Sequence, residues 1–185
     1  MRDHDRERRF EELFEGYRAD VVAYASWRAA SASDAQDAVA EVFLTAWRRL
    51  DDVPSGGAAR VWMYATARRV LANQRRSQRR RLALHERLMR ERPRSSGSAV
   101  DGEHAQVHEA LGRLGHADRE VLLLSEWEEL TPQEIADVVG CLTVTARGRL
   151  HRARRRFKAA YEELQAGQSV HDARAARVDV ARPLP

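Results

Sequence analysis

The chain has 185 residues, room for one ordinary domain or two small ones, with 32% charged residues, 6% aromatic residues and one cysteine, Cys141. Its net charge is +4 and its sequence pI is near 9.8, carried by arginine, since Lys158 is the only lysine. This excludes a disulfide framework or a Cys-based zinc site within one chain, and favours planar, multi-donor contacts with phosphates. The apolar run Val121 to Leu124 is far too short to span a bilayer, and the opening M-R-D-H-D-R-E-R-R is no secretory signal. A cytoplasmic protein without a membrane partner is therefore expected.

Helical periodicity runs through the chain and no strand-like alternation persists, so the expected fold class is all-α. Phe10, Leu13, Phe14, Tyr17, Val21, Tyr24 and Ala25 recur at three- and four-residue steps and give the first helix one apolar face. A second helix starts after S-A-S-D, where Ser33 and Gln36 have capping-box spacing and Asp34 and Asp37 favour a first turn. Its core stripe is Ala35, Val39, Val42, Phe43, Ala46, Trp47 and Leu50, and Asp34, Asp37 and Glu41 share the opposite face. Those acids can be dipole-complementing surface groups or part of a docking face. P-S-G-G at 54–57 breaks the chain.

A third helix is expected from about Ala58 into the run R-R-S-Q-R-R-R at 75–81. Met63, Ala67, Val70, Leu71 and Gln74 form its core side. Trp62, Thr66, Arg69, Asn73, Arg76 and Arg80 line up opposite: a ring for stacking, an amide for a base edge and cations for a backbone, as on single-strand surfaces. Trp62 can equally be core packing. The stretch E-R-P-R-S-S-G-S-A-V-D-G at 91–102 reads as a flexible linker, which divides a domain at 8–90 from a second at 103–164. Residues 165–185 offer no usable core face and are expected to be disordered.

In the second domain, Thr131-Pro132-Gln133-Glu134 combines an N-cap, a first-turn proline and a third-position glutamate. The helix it opens can bury Ile135, Ala136, Val138 and Val139, and Gly140 suits a left-handed C-terminal cap. After a sharp turn through Cys141 and Leu142, capped by Thr143 or Thr145, Ala146, Leu150, Ala153, Phe157, Ala160 and Leu164 form the next buried stripe. Thr145, Gly148, His151, Arg152 and Arg155 gather on its outer side, flanked by Arg147 and Arg154. A short helix, a tight turn and a longer helix with a basic outer face is helix-turn-helix geometry, placing the arginines for a major groove. An arginine-rich face can also be merely solvated. Cys141 reads as a packing residue and His151 as a polar DNA-facing group, since no second metal ligand sits at i±4.

Three stretches together make the chain resemble an extracytoplasmic-function (ECF) sigma factor of bacterial RNA polymerase, in the sigma-70 family. D-A-Q-D-A-V-A-E-V-F-L-T-A-W at 34–47 is similar to the region-two helix that docks on polymerase. R-V-W-M-Y-A-T-A-R-R-V-L-A-N at 60–73 is similar to the segment that melts and reads the −10 element. R-E-V-L-L-L-S-E-W-E-E-L-T-P-Q-E-I-A-D-V-V-G-C and its sequel through L-H-R-A-R-R-R are similar to the region-four reader of the −35 element. The resemblance covers about Phe10 to Leu164.

It implies two small helical domains, a region-two bundle and a region-four helix-turn-helix, with core RNA polymerase and promoter DNA as partners. An anti-sigma protein is a further implied partner. It assigns core docking to Asp34, Asp37, Glu41, Val42 and Phe43, the melted −10 strand to Trp62, Thr66, Arg69, Asn73, Arg76 and Arg80, and the −35 duplex to Thr145, Arg147, Gly148, His151, Arg152 and Arg155. It requires no cofactor, metal, small-molecule substrate or catalytic site. The chain departs from the family pattern where Arg69 replaces a common Asn, Ala59 an aromatic, Leu142 a capping Ser and Gly148 a Ser, which bears on promoter sequence. A free-standing helix-turn-helix regulator and a helical interaction module are the rival readings.

Overall fold

The structure, a computed structural model, describes residues 3–88 and 102–180. Among them are α1 (Asp3–Ser26), α2 (Ala32–Arg48), a 3-10 turn (Leu50–Asp52), α3 (Gly57–Leu88), α4 (Gly102–Arg113), α5 (His116–Glu126), α6 (Pro132–Val139) and α7 (Thr143–Val180), with no strand. The expected linker lies outside the described residues except for Gly102. No described helix is long and apolar enough to cross a membrane. By its contacts the chain divides into two compact units, one holding α1, α2, α3 and α6, the other α4, α5 and most of α7.

In the first unit α1, α2 and α3 pack pairwise, and α6 packs on α3. Val21, Tyr24, Val42, Leu50, Met63 and Tyr64 are almost wholly buried. Each such large side chain contributes about 1.5–3 kcal/mol relative to exposure, and the Tyr24 and Tyr64 rings meet at 5.3 Å. Arginines tie the helices at their ends. Arg6 donates to the Trp47 carbonyl at 2.5 Å, Arg9 to that of Val53 at 2.5 Å and Arg75 to that of Arg28 at 2.6 Å. Phe14, expected in the core, is 37% exposed. It sits at the rim of an aromatic cluster in which its ring meets Phe43 edge-on at 4.7 Å.

The start of α2 differs from expectation. Its N-cap is Ser31, whose hydroxyl oxygen accepts from the Asp34 backbone N–H, rather than Ser33. Asp34 selects this register: its carboxylate accepts from the Ser31 hydroxyl at 2.8 Å and from Gln78 Nε2 of α3 at 3.0 Å. A bond reaching 44 residues along the chain decides between two serines that local spacing leaves nearly equivalent.

In the second unit all of Val121 to Leu124 is buried, with Ala110, Leu111 and Leu114 on one side of the sequence and Ala146, Leu150, Ala153 and Ala160 of α7 on the other. Arg119 donates to the carbonyls of Leu111, Gly112 and Leu114, at and just beyond the end of α4. α7 runs on to Val180, past the Leu164 at which order was expected to stop. The run Ala173-Arg174-Ala175-Ala176-Arg177 lies within this extension, and the backbone propensity of alanine and arginine for helix does not need a buried face.

Ser31→Ala should cost about 1 kcal/mol of stability by loss of the cap, and Ser33→Ala close to nothing. Urea titrations followed by far-ultraviolet circular dichroism check both; equal effects would return the cap to Ser33.

Candidate nucleic-acid interface

An α-helix turns 100° per residue, so a run of arginines cannot all face one way. α7 distributes them. The buried stripe Ala146, Leu150, Ala153 and Ala160 faces inward, with Phe157 and Leu164 half-buried beside it. Arg154 and Arg156 flank it on opposite sides, and each finds an internal acid. Arg154 donates to Glu126 Oε1 at 2.7 Å and to Ser125 Oγ at 3.1 Å, while Arg156 pairs with the carboxylate of the buried Asp118. Arg154, expected at the edge of the outer face, is thus engaged with α5.

The outer face keeps Arg147, His151, Arg152 and Arg155, all exposed and without hydrogen bond or ion pair among the described residues. Thr145 and Gly148 are half-buried beside them. Six sequence-predicted positions are therefore brought together on one helix side, and Val144, 71% exposed at its N-terminal end, belongs with them although the sequence reading passed it over. Its place in the same one-turn column was the available signal.

The element before α7 forms as the residues dictate. Thr131 Oγ1 accepts from the Glu134 N–H, and Glu134 returns the favour by accepting from the Thr131 N–H at 2.8 Å and hydroxyl at 2.7 Å. These bonds, the hydroxyl's first, hold the Glu134 carboxyl below its ordinary value against the opposing effect of partial burial. Gly140 closes α6 at φ 73°, a left-handed conformation that favours glycine, and the N–H groups of Gly140 and Cys141 both bond the Ala136 carbonyl. Thr143, the first residue of α7, spends its hydroxyl on Gln133 Oε1 at 2.5 Å.

On α3, Met63, Ala67, Val70 and Leu71 are buried as expected. Of the opposite row, Arg69, Asn73, Arg76 and Arg80 are exposed, and Trp62 is half-buried. Arg76 donates to Asn73 Oδ1 at 2.5 Å, and Arg69 ties its Nε to the Ala65 carbonyl at 3.0 Å, with its terminal nitrogens unpartnered among the described residues. Thr66 departs from expectation. It is only 4% exposed, and its hydroxyl has no hydrogen-bond partner among the described residues. α2 and α3 meet there, so the position has too little open surface to lie along a strand.

Thr66, Arg69 and Asn73 line a cleft of about 540 Å³ together with Asp37 and Glu41 of α2. Acids expected for docking and cations expected for DNA thus share one depression. Val42 and Phe43 do not join them: at 0% and 5% exposure they are core residues, because α2 is covered by α1 and α3 on two sides. The apolar group that the acid face does offer is Leu44, 41% exposed and one turn from Glu41, which the sequence reading missed. Asp34 is largely committed to Ser31 and Gln78.

The chain thus has two all-helical units, one with a mixed-charge cleft between α2 and α3 and one with a cationic ridge on α7 that is unpaired among the described residues. The sigma-70 region 2 model matches residues 13–81 and the sigma-70 region 4 model residues 104–157. The ECF RNA polymerase sigma factor SigC of Mycobacterium tuberculosis is 33% identical over 146 residues, 72% of this chain and 71% of SigC. SigL of the same species is 27% identical over 158 residues, 82% and 88% of the two chains. Among solved structures, the complex of sigma factor RpoE with anti-sigma factor NepR from Bartonella quintana aligns with TM-score 0.66 and 20% identity, over 83% of this chain and 96% of that one. CnrH in complex with the cytosolic domain of CnrY aligns with TM-score 0.62 and 24% identity, over 85% and 90%. The chain belongs to the ECF sigma factors of the sigma-70 family, and is an RNA polymerase sigma factor.

The Glu134 carboxyl, depressed in the folded state, stabilises the fold above its unfolded pKa, and that contribution is lost as pH falls through the depressed folded value. Thermal melts between about pH 5 and pH 3 should therefore show a steeper loss for wild type than for Thr131→Ala, and the least for Glu134→Gln. Parallel acid limbs for all three would remove the capping bond as the cause.

Proposed function

We propose that the first domain, residues 8–90, docks on core RNA polymerase and holds the melted −10 strand, and that the second, residues 103–164, reads the −35 duplex. The observation that carries this is the segregation on α7: two arginines are neutralised by α5, whereas Arg147, Arg152 and Arg155 point away from the core without an anion among the described residues. Unpaired guanidiniums on one helix side fit phosphates and base edges in a major groove. Docking falls to Asp37 and Glu41, with Leu44 supplying the apolar contact first expected of Val42 and Phe43. The strand falls to Trp62, Arg69, Asn73, Arg76 and Arg80, and not to the buried Thr66.

The chain supplies binding energy rather than bond chemistry, and holding the open strand shifts the melting equilibrium. It works in the cytoplasm, where polymerase and promoter meet. Its structural relative RpoE was solved with the anti-sigma factor NepR, which supports an anti-sigma protein as a further partner here.

Run-off transcription with purified core polymerase is the direct test. Transcripts from a promoter library are expected; none, together with a footprint by the chain alone, would identify a free-standing regulator. Asp37→Arg with Glu41→Arg should weaken core association at least tenfold with the melting temperature unchanged, read by co-purification and calorimetry.

Salt titration separates the arginines. Arg147→Ala and Arg152→Ala should each lower the slope of log affinity against log salt by about 1. Arg154→Ala, already committed to Glu126, should lower stability and leave the slope alone. Equal slopes for all three variants would remove the segregated ridge.

A further inference from the structure

One column of α7 runs outward at successive turns through Val144, Gly148, His151 and Arg155. Val144 heads it at 71% exposure, a β-branched apolar side chain on an otherwise cationic face. Gly148 leaves the next position bare. A Cβ built there would meet only Arg152 Nη1 within 4 Å, at the ordinary contact distance of 3.5 Å. The missing side chain thus leaves a notch with Val144 one turn before it, His151 one turn after it and the Arg152 guanidinium alongside.

Resting on the region-four reading above, we propose that this notch seats the 5-methyl group of one thymine in the major groove of the −35 element, with Val144 as its apolar wall. The chemistry selects that occupant. Among the groups that base pairs present in the major groove, the thymine methyl is the apolar one, and all the others are hydrogen-bond donors or acceptors. A bare glycine backbone inside a helix has no free donor or acceptor to offer those groups, and Val144 has none either. Arg147, Arg152 and Arg155, unpaired among the described residues, surround the column with positive charge that matches DNA phosphates and draws the ridge into the groove. A partner protein seated on the same column would have to desolvate these cations around one small apolar contact, which disfavours it.

The probe is promoter duplex in which each −35 thymine is replaced in turn by deoxyuridine, which removes only the methyl group. It is bound to holoenzyme assembled from core polymerase and this chain, on a promoter identified by transcript-start mapping. One position should weaken wild-type binding about three- to fivefold, the effect of exposing one buried methyl. Gly148→Ala, which the surrounding space accommodates, should bring the thymine-to-deoxyuridine ratio at that position to one, and Val144→Ala should reduce it.

A −35 element without thymine, no sensitive position, or a ratio unchanged in both variants would overturn the proposal while transcription itself continued. Changes confined to capture of core or of an anti-sigma protein would overturn it in favour of a protein occupant. Failure of the holoenzyme to initiate anywhere would instead sink the sigma-factor reading, and the notch with it.

Discussion

The 100° step of the α-helix governs what this arginine-rich chain can do. Seven of the ten residues from Arg147 to Arg156 are basic if His151 is included, and a helix cannot turn them all to one partner. With the core stripe fixed by Ala146, Leu150 and Ala153, geometry sorts the rest. Positions about 80° to either side of the stripe lie near α5 and are neutralised by Glu126 and Asp118. Positions opposite the stripe have no internal anion to meet among the described residues. The same residue type is thus a fastener or a reader according to its angle on the wheel, and net charge alone says nothing about which.

That sorting bears on how much was legible beforehand. The caps of α6 were readable because their partners are local: Thr131 and Glu134 are three residues apart, and Gly140 comes directly after the last helical residue, Val139. The α7 stripe was readable for the same reason, since one face of a helix packed on one side shows in its own periodicity. The N-cap of α2 was not, because Ser31 and Ser33 present overlapping signals and Gln78, far along the chain, decides between them. Thr66 was misassigned as surface for a related reason, whereas Val42 and Phe43 are buried on the core stripe where periodicity placed them, and it is the docking role implied by the resemblance that finds no exposed surface there. α2 and α3 are buried on more than one side, so a wheel drawn for a single apolar face leaves too much of it free. The commitment of Arg154 to Glu126 was equally invisible, since it depends on how α5 lies against α7.

Arginine rather than lysine is what lets one composition meet both demands. A guanidinium carries five donors in a rigid fork, and several sites here use more than one of them. Arg119 reaches three carbonyls at the end of α4, and Arg154 divides its donors between a carboxylate and a hydroxyl. Arg6 bonds a backbone carbonyl of α2, and Arg9 and Arg75 bond carbonyls in the turns between helices. A lysine ammonium, compact and more strongly hydrated, would satisfy one such carbonyl at a higher desolvation cost.

The cleft between α2 and α3 shows where the two roles meet. Asp37 and Glu41 line it from one side and Arg69 and Asn73 from the other, within a depression of about 540 Å³. Arg69 is steadied by its bond to the Ala65 carbonyl without spending its terminal nitrogens, and no carboxylate among the described residues closes on it as Glu126 closes on Arg154. Opposite charges in one open cleft that stop short of an ion pair keep both sets hydrated, so neither has to break an internal salt bridge before engaging a partner. On α7 the separation of fasteners from readers is made by angle. On α3 it is made by leaving the acids across the cleft exposed and, among the described residues, unpaired, and it is Thr66, buried beneath them, that has no room to serve as either.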